Sequence, residues 1–154
     1  HIFDLHRWFH HSRSTFAKYI YSKPFFSGSR FWFHKHFLFL YFSFKKENRI
    51  KSKNAFQIVY KTGRSVVDSM SVMYVLANDE KNIKIGFAVG KKMGNAVVRN
   101  RVKRLMREVF RHRRSELKDS IHIIWVARKK LIAADIYTYD RIFMRLAKRA
   151  GILK

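Results

Sequence analysis

The chain has 154 residues, with 34 Lys and Arg against 10 Asp and Glu, a formal net charge of +24 and a sequence pI near 10.9. It contains no cysteine, which excludes structural disulfides and cysteine-based zinc sites. No uninterrupted apolar stretch approaches the ~20 residues that span a bilayer, and no secretory signal peptide is recognisable. Basic side chains release counterions when they neutralise phosphates, so nucleic acid is the first partner indicated and an anionic membrane surface the second.

Residues 1–44 differ in composition from the rest of the chain. They hold roughly two-thirds of the aromatic residues, most of the histidines and a single acid, Asp4. Neither a helical nor a strand period is sustained. Because the first methionine is Met70, we expect a poorly ordered extension or a start assigned too far upstream.

Two other hypotheses apply to this extension. His6, His10 and His11 fit helical spacing for a metal site, although no carboxylate accompanies them. Residues 37–44 could lie on a membrane surface, but they are short for a span.

Residues 45–154 have the composition of a folded domain. The first 44 residues contain six basic and one acidic side chain, so the domain alone keeps a charge of +19. A short helix is predicted over residues 51–61, with Phe56, Val59 and Tyr60 on one face. Strands are predicted over 65–67, 71–77 and 83–89 because apolar and polar residues alternate there.

Residues 90–111 open as a glycine-containing loop and continue as a helix. Apolar residues at helical spacing should pack on the sheet, namely Val98, Val102, Leu105, Met106, Val109 and Phe110. Basic residues recur on another face, namely Arg99, Lys103, Arg107, Arg111 and Arg114. Guanidinium forks match phosphate oxygens, and the loop should point backbone N–H groups at an anion. This segment is therefore predicted to bind a polyanion.

Glu108 is the only acid between residues 91 and 114. We interpret it as an ion-pair partner of Arg104 or His112 on the same helix. No Walker loop or dinucleotide fingerprint is present in the domain. The domain also lacks the carboxylate cluster of a metal-dependent nuclease, so a protein that cuts RNA by itself is the less favoured hypothesis.

The rest of the domain completes an α+β pattern. A buried strand is predicted over residues 120–127 and a final helix over 138–150. The core face of that helix should contain Tyr139, Ile142, Phe143, Leu146 and Ala147. The order helix, three strands, helix, strand, helix predicts a small single domain with a mainly antiparallel sheet.

Residues 84–108 resemble the signature of the bacterial ribonuclease P protein family. The hallmark is Arg99-Asn100-Arg101, followed by Lys103-Arg104 and Arg107. The resemblance extends from about residue 45 to the end of the chain. One departure is a glycine at position 90, where the family often has serine.

The resemblance implies a fold like domain 2 of ribosomal protein S5. In that fold the basic helix lies in an unusual left-handed crossover. It also implies a cytoplasmic protein subunit of ribonuclease P, the ribonucleoprotein endoribonuclease that removes the 5′ leader of precursor tRNA. The catalytic RNA would carry the active site and its Mg²⁺ ions, and no protein side chain would be catalytic or bind metal.

The same resemblance implies two sets of contact residues. Contacts to the catalytic RNA are expected from Lys91, Lys92, Asn95, Arg99, Asn100, Arg101, Lys103, Arg104 and Arg107. Contacts to the leader are expected from Phe56, Tyr60, Val72 and Tyr74. By spacing alone, Phe56 and Tyr60 would equally suit a hydrophobic core.

A non-catalytic basic RNA-binding protein, such as a ribosomal protein or an RNA chaperone, is the alternative function. Such a protein would share the basic helix but would have no use for a leader cleft.

Overall fold

The structure is a computed structural model that describes residues 46–154. The predictions for residues 1–44, including the histidine site and the membrane-surface segment, lie outside this part of the chain.

The first helix, α1 (Lys53–Thr62), is bounded by two local signals. The Ser52 side chain caps its start by accepting a hydrogen bond from the Ala55 N–H at 3.0 Å. Gly63 follows its last turn and donates its N–H to the Val59 carbonyl at 2.9 Å. The predicted helix was therefore right in kind and began two residues too early, because Ser52 is the cap.

Four strands form one sheet, namely β1 (Arg64–Val67), β2 (Ser71–Ala77), β3 (Ile83–Ala88) and β4 (Ile121–Ala127). Their order is β1-β2-β4-β3. The β1/β2 and β2/β4 pairs are antiparallel, whereas β3 and β4 are parallel. Parallel neighbours need a long connection, which here contains the second helix. The small α+β domain predicted from the sequence is confirmed, with a mixed sheet.

Helices α2 (Ala96–Arg113) and α3 (Ile136–Arg149) pack on the same face of the sheet. The predicted core face of α3 is confirmed, since all five of its residues are buried. This helix begins two residues earlier than predicted, because Asp135 accepts the Thr138 N–H at 2.9 Å and caps it. None of the helices in the described part of the chain is long and apolar enough to cross a bilayer.

The main core lies between the sheet and these two helices, and Trp125 of β4 is at its centre. Its ring is fully buried, with centroids 4.9 Å from Phe143 and 6.4 Å from Tyr139. Its Nε1 donates to the Ser71 Oγ at 3.1 Å, so the one polar atom of the indole is satisfied.

The apolar face of α2 is slightly rotated from the predicted one. Val102, Met106, Val109 and Phe110 are buried, whereas Val98 and Leu105 lie half-buried at its margins. This rotation aims the basic side of the helix at solvent.

The β3 edge of the sheet is covered by the segment that precedes α1. Arg49 forms a parallel bridge with Ile85, and the Ile50 N–H donates to the Ile85 carbonyl at 3.1 Å. The buried Asn48 side chain donates to the Ile83 carbonyl at 2.9 Å. Covering the edge satisfies strand groups that would otherwise pair with another chain.

Candidate nucleic-acid interface

An aromatic cluster lies where α1 crosses the second face of the sheet. The centroids of the Tyr60 and Tyr74 rings are 4.8 Å apart in an edge-to-face arrangement, and Phe56 lies 6.3 Å from Tyr60. All three rings are half-buried. They rest on a small hydrophobic cluster around Val59 and Ile124.

The approach of Phe56 to the sheet depends on a glycine. A Cβ atom added at Gly86 would lie only 2.4 Å from the Phe56 Cζ. A side chain at this position of β3 would therefore push the ring outward. The bare backbone of β3 lets the aromatic ring approach the strand closely.

Val72 occupies the same sheet face as Tyr74, as its period predicts, but it is buried at 8% exposure. It therefore offers less surface to a ligand than the three rings do.

Phe56 and Tyr60 are neither fully buried core residues nor fully exposed surface residues. Each ring packs on apolar neighbours with one part and stays accessible with the rest.

The environment of Tyr60 keeps its hydroxyl protonated. Burial, together with the neighbouring Tyr74, raises the pKa of Tyr60 above its ordinary value. The phenol thus remains a neutral hydrogen-bond donor beside the other two rings.

The basic loop starts at one end of this aromatic face. Strand β3 ends at Ala88, which pairs with Val126, and Val126 in turn pairs with Val72. A 3-10 turn, Lys91–Met93, follows and buries Met93. The fold therefore joins the two predicted sets of contact residues through a few residues of backbone.

The sequence predicted that backbone N–H groups of this loop point at an anion, but several of them form hydrogen bonds within the protein. The N–H groups of Met93 and Gly94 donate to the carbonyls of residues 90 and 91, and the Asn95 side chain accepts the Val98 N–H at 3.0 Å. These three amides are already paired, so they are not available to an anion. Asn95 acts as the cap of α2, and we expect an anion to meet side chains first.

Arg99 fixes the shape of the loop. Its Nη1 donates to the Gly94 carbonyl at 2.6 Å. Gly94 has a φ of 131°, a conformation that favours glycine. A guanidinium held by the loop loses less rotational freedom when it binds a phosphate.

The predicted contact side chains on α2 and its loop face outward. Arg99 and Lys103 are half-buried, and the others are exposed, namely Lys91, Lys92, Asn95, Asn100, Arg101, Arg104 and Arg107. Within residues 46–154, no acidic side chain forms an ion pair with the basic members of this set. Their charges are therefore not neutralised by the described part of the protein.

Glu108 interacts with side chains one turn further along α2. It accepts hydrogen bonds from Arg111 and contacts His112 at 3.0 Å, so one of its two predicted partners is confirmed and Arg104 is not a partner. Burial acts to raise the pKa of Glu108, but His112 and Arg111 outweigh it and lower this pKa. Arg104 has no acidic ion-pair partner among the described residues.

Arg113 forms a bidentate pair within the protein, with Asp140 of α3, at 2.7 and 2.6 Å. The hydrogen bonds that Arg113 donates to Asp140 and Glu116 raise the pKa of this guanidinium above its ordinary value. The pair ties α2 to α3 and fixes the direction in which the basic face points.

Each flank of α2 faces a different neighbour. Partial burial and the positive charge of Arg49 lower the pKa of Arg107. On the other flank, burial raises the pKa of Tyr139 to about 12, and the nearby charge of Arg101 acts against this rise. Arg49 was missed from the sequence, because its bridge to Ile85 joins two distant parts of the chain.

Among residues 46–154, no group of three or more His, Cys, Asp or Glu side chains is arranged to hold a metal ion.

Position 90 has room for the serine that the family often carries there, because a Cβ at Gly90 would meet nothing within 4 Å.

Known proteins resemble this chain in both sequence and structure. The family model described as Ribonuclease P matches residues 44–151. The ribonuclease P protein component of Alkaliphilus metalliredigens is 40% identical over 109 residues, which cover 71% of this chain and 98% of the relative. That of Streptococcus agalactiae is 34% identical over 109 residues, covering 71% and 99%.

Solved structures agree with the sequence relatives. The ribonuclease P protein of Staphylococcus aureus is 32% identical with a TM-score of 0.65, covering 70% of this chain and 98% of its own. The Thermotoga maritima protein is 28% identical with a TM-score of 0.62, covering 66% and 96%. The chain therefore belongs to the ribonuclease P protein family.

Proposed function

We propose that this chain is the protein subunit of ribonuclease P and assists the endonucleolytic removal of the 5′ leader from precursor tRNA. The observation that carries this proposal is the junction of two unlike surfaces. The loop that leads into α2 begins at one end of the sheet face that carries the accessible aromatic rings. The predicted contact residues of this loop and helix have no acidic ion-pair partner among residues 46–154. An RNA-binding surface without a base-stacking platform would suit a general chaperone equally well.

In this proposal α2 and its loop hold the catalytic RNA. The outward guanidinium groups of Arg101, Arg104 and Arg107 form charge-assisted hydrogen bonds to phosphate oxygens. Asn95 contributes by fixing the start of the helix.

The aromatic cluster would hold the single-stranded leader. Unpaired bases stack on accessible rings for about 1–3 kcal/mol per base, with little dependence on sequence. Phe56, Tyr60 and Tyr74 offer three such rings, and Tyr60 adds a hydroxyl donor. The protein would thereby distinguish a precursor from a mature tRNA by the presence of a leader.

The proposal leaves bond cleavage to the RNA subunit. Magnesium ions bound by that RNA would activate the attacking water and stabilise the leaving oxygen. This chain would raise substrate affinity and screen phosphate repulsion, so the RNA would need less magnesium to act.

Reconstitution tests the function directly. The full chain is added to a bacterial ribonuclease P RNA, and precursor-tRNA cleavage is measured at low magnesium. We expect faster cleavage and a lower magnesium requirement than for the RNA alone, with a mature 5′ end as product. Unchanged cleavage would contradict the proposal, and cleavage by the chain without RNA would instead indicate a self-sufficient nuclease.

The leader cleft is tested with Phe56→Ala. We expect the variant holoenzyme to lose several-fold in its preference for precursor over mature tRNA, because one stacking platform is removed. Equilibrium binding of the two RNAs, measured in parallel, gives this ratio. Binding of the catalytic RNA should stay nearly unchanged, since Phe56 lies outside α2.

Ile58→Ala is the matched control for this test. Ile58 lies on the same helix but is 55% exposed and points away from the cluster. It should keep the normal preference. A Phe56→Ala protein that fails to melt cooperatively would assign the ring to the core, and one that folds with an unchanged preference would remove the leader from this surface.

A further inference from the structure

Four arginines lie close together at the β1 edge of the sheet, which is the edge opposite β3. They come from three parts of the chain, namely β1, the segment that follows β4, and α3, and all four are exposed. We call them the β1-edge arginine cluster, namely Arg64, Arg128, Arg145 and Arg149. The proposed function does not use any of them.

Three of these side chains meet at the turn between β1 and β2. Arg149 donates through Nη1 to the Val67 carbonyl at 2.8 Å, and Arg128 donates through Nη1 to the Asp68 carbonyl at 3.1 Å. Arg145 places its Nη1 3.3 Å from the Asp68 carboxylate. Contacts to a single turn fix three positive charges beside one another.

Arg64 extends the cluster along the end of α3. It donates to the carbonyl of Ala150, the residue that caps this helix. Carbonyl groups at a helix C-terminus attract cations, so the position of Arg64 has a local cause. Its guanidinium also lies near the backbone of Gly151.

The cluster keeps a large excess of positive charge. Asp68 is the acidic residue that contacts it, and this carboxylate is buried and also accepts the Met70 N–H at 3.1 Å. A guanidinium has five N–H donors, and the contacts above use one nitrogen of each arginine. The remaining donors are held at a surface with their directions already set.

We propose that the β1-edge arginine cluster is a second RNA-binding surface, which contacts the phosphate backbone of a structured RNA segment. Arginine forks in fixed positions suit phosphates better than a diffuse anionic layer does. Exposed Lys129, Lys130 and Lys148 continue the positive charge beside them. The inference rests on the proposed function only in taking RNA as the partner of this domain.

The cluster is separate from the α2 surface. Helix α2 packs against β3 at one edge of the sheet, whereas the cluster borders β1 at the other edge. Three interstrand spacings, about 14 Å, separate these two edges. A domain with an RNA-binding surface at each edge of its sheet could hold two segments of RNA at fixed positions relative to one another.

The test measures binding as a function of salt concentration for the full chain with Arg145→Gln and Arg149→Gln combined. Two partners are titrated, the catalytic RNA alone and precursor tRNA added to the assembled holoenzyme. We expect the slope of log affinity against log salt to fall by about 0.9 for each lost phosphate contact. The partner whose slope falls identifies which RNA the cluster binds.

Two control variants and a melting measurement make the result decisive. Arg145→Lys with Arg149→Lys keeps the charge and should keep most of the slope. Lys81→Gln with Lys154→Gln removes the same charge elsewhere and should change it little. If the cluster only ties β1 to α3, the Gln variant will melt at a lower temperature with both slopes unchanged, which overturns the inference.

Arg104→Gln separates this inference from the proposed function. A slope that falls for Arg104→Gln but not for the cluster variant overturns the second surface and leaves the proposed function standing. Unchanged slopes for both variants would overturn both proposals together.

Discussion

Replacing Arg101, Arg104 and Arg107 together by Gln is expected to abolish most of the tight binding to the catalytic RNA. Each arginine that neutralises one phosphate contributes about 0.9 to the slope of log affinity against log salt. Three lost contacts reduce that slope by about 2.7, which corresponds to roughly 500-fold weaker binding at 0.1 M salt. Filter binding or fluorescence titration at several salt concentrations measures both quantities.

The fold should tolerate this triple change, because all three side chains are exposed and none pairs with an acid in the described residues. Lys61→Gln, Lys81→Gln and Lys154→Gln together remove the same net charge elsewhere and provide the control. Equal losses in the two triple variants would mean that total charge, and not the α2 surface, governs binding. Unchanged affinity in the Arg variant would remove α2 from the interface.

Trp125→Ala is expected to have the largest effect on stability. Truncation of a fully buried aromatic residue costs about 3–5 kcal/mol of unfolding free energy, because a cavity remains. The Ser71 hydroxyl would also lose its partner, and an unsatisfied buried group costs a further ~1–3 kcal/mol. Small domains have only about 5–15 kcal/mol in total, so much of the protein would unfold near room temperature.

Thermal melting followed by far-ultraviolet circular dichroism measures this effect without relying on tryptophan fluorescence. Trp125→Phe serves as the comparison, since it retains a ring beside Phe143 but loses the hydrogen bond to Ser71. We expect its melting temperature to lie between those of the Ala variant and the natural protein. A Trp125→Ala protein with a normal melting temperature would show that the core closes around the cavity.

The sequence predicted the elements because their signals are local. Alternation along residues 71–77 and the spacing of Tyr139, Ile142, Phe143, Leu146 and Ala147 each reflect one element facing one core. The errors at the helix starts arose because a capping side chain, Ser52 in α1 and Asp135 in α3, sets the first helical residue.

Strand order was beyond such reasoning. The parallel pairing of β3 with β4, across the 18 residues of α2, depends on how several elements pack together. The covered β3 edge follows from that pairing, because it makes β3 an outer strand of the sheet. No periodicity within a single segment carries information about these contacts.

The composition and the resemblance by themselves determined that this chain presents a dense cationic helix to a polyanion, and that its family is that of ribonuclease P proteins. Only the tertiary structure decided which charges are available. It paired Arg111 and Arg113 with acids, turned loop amides inward, and gathered four arginines from three separate parts of the chain at the β1 edge. The physical reason is that neutralisation depends on distances between side chains, and chain folding alone sets these distances.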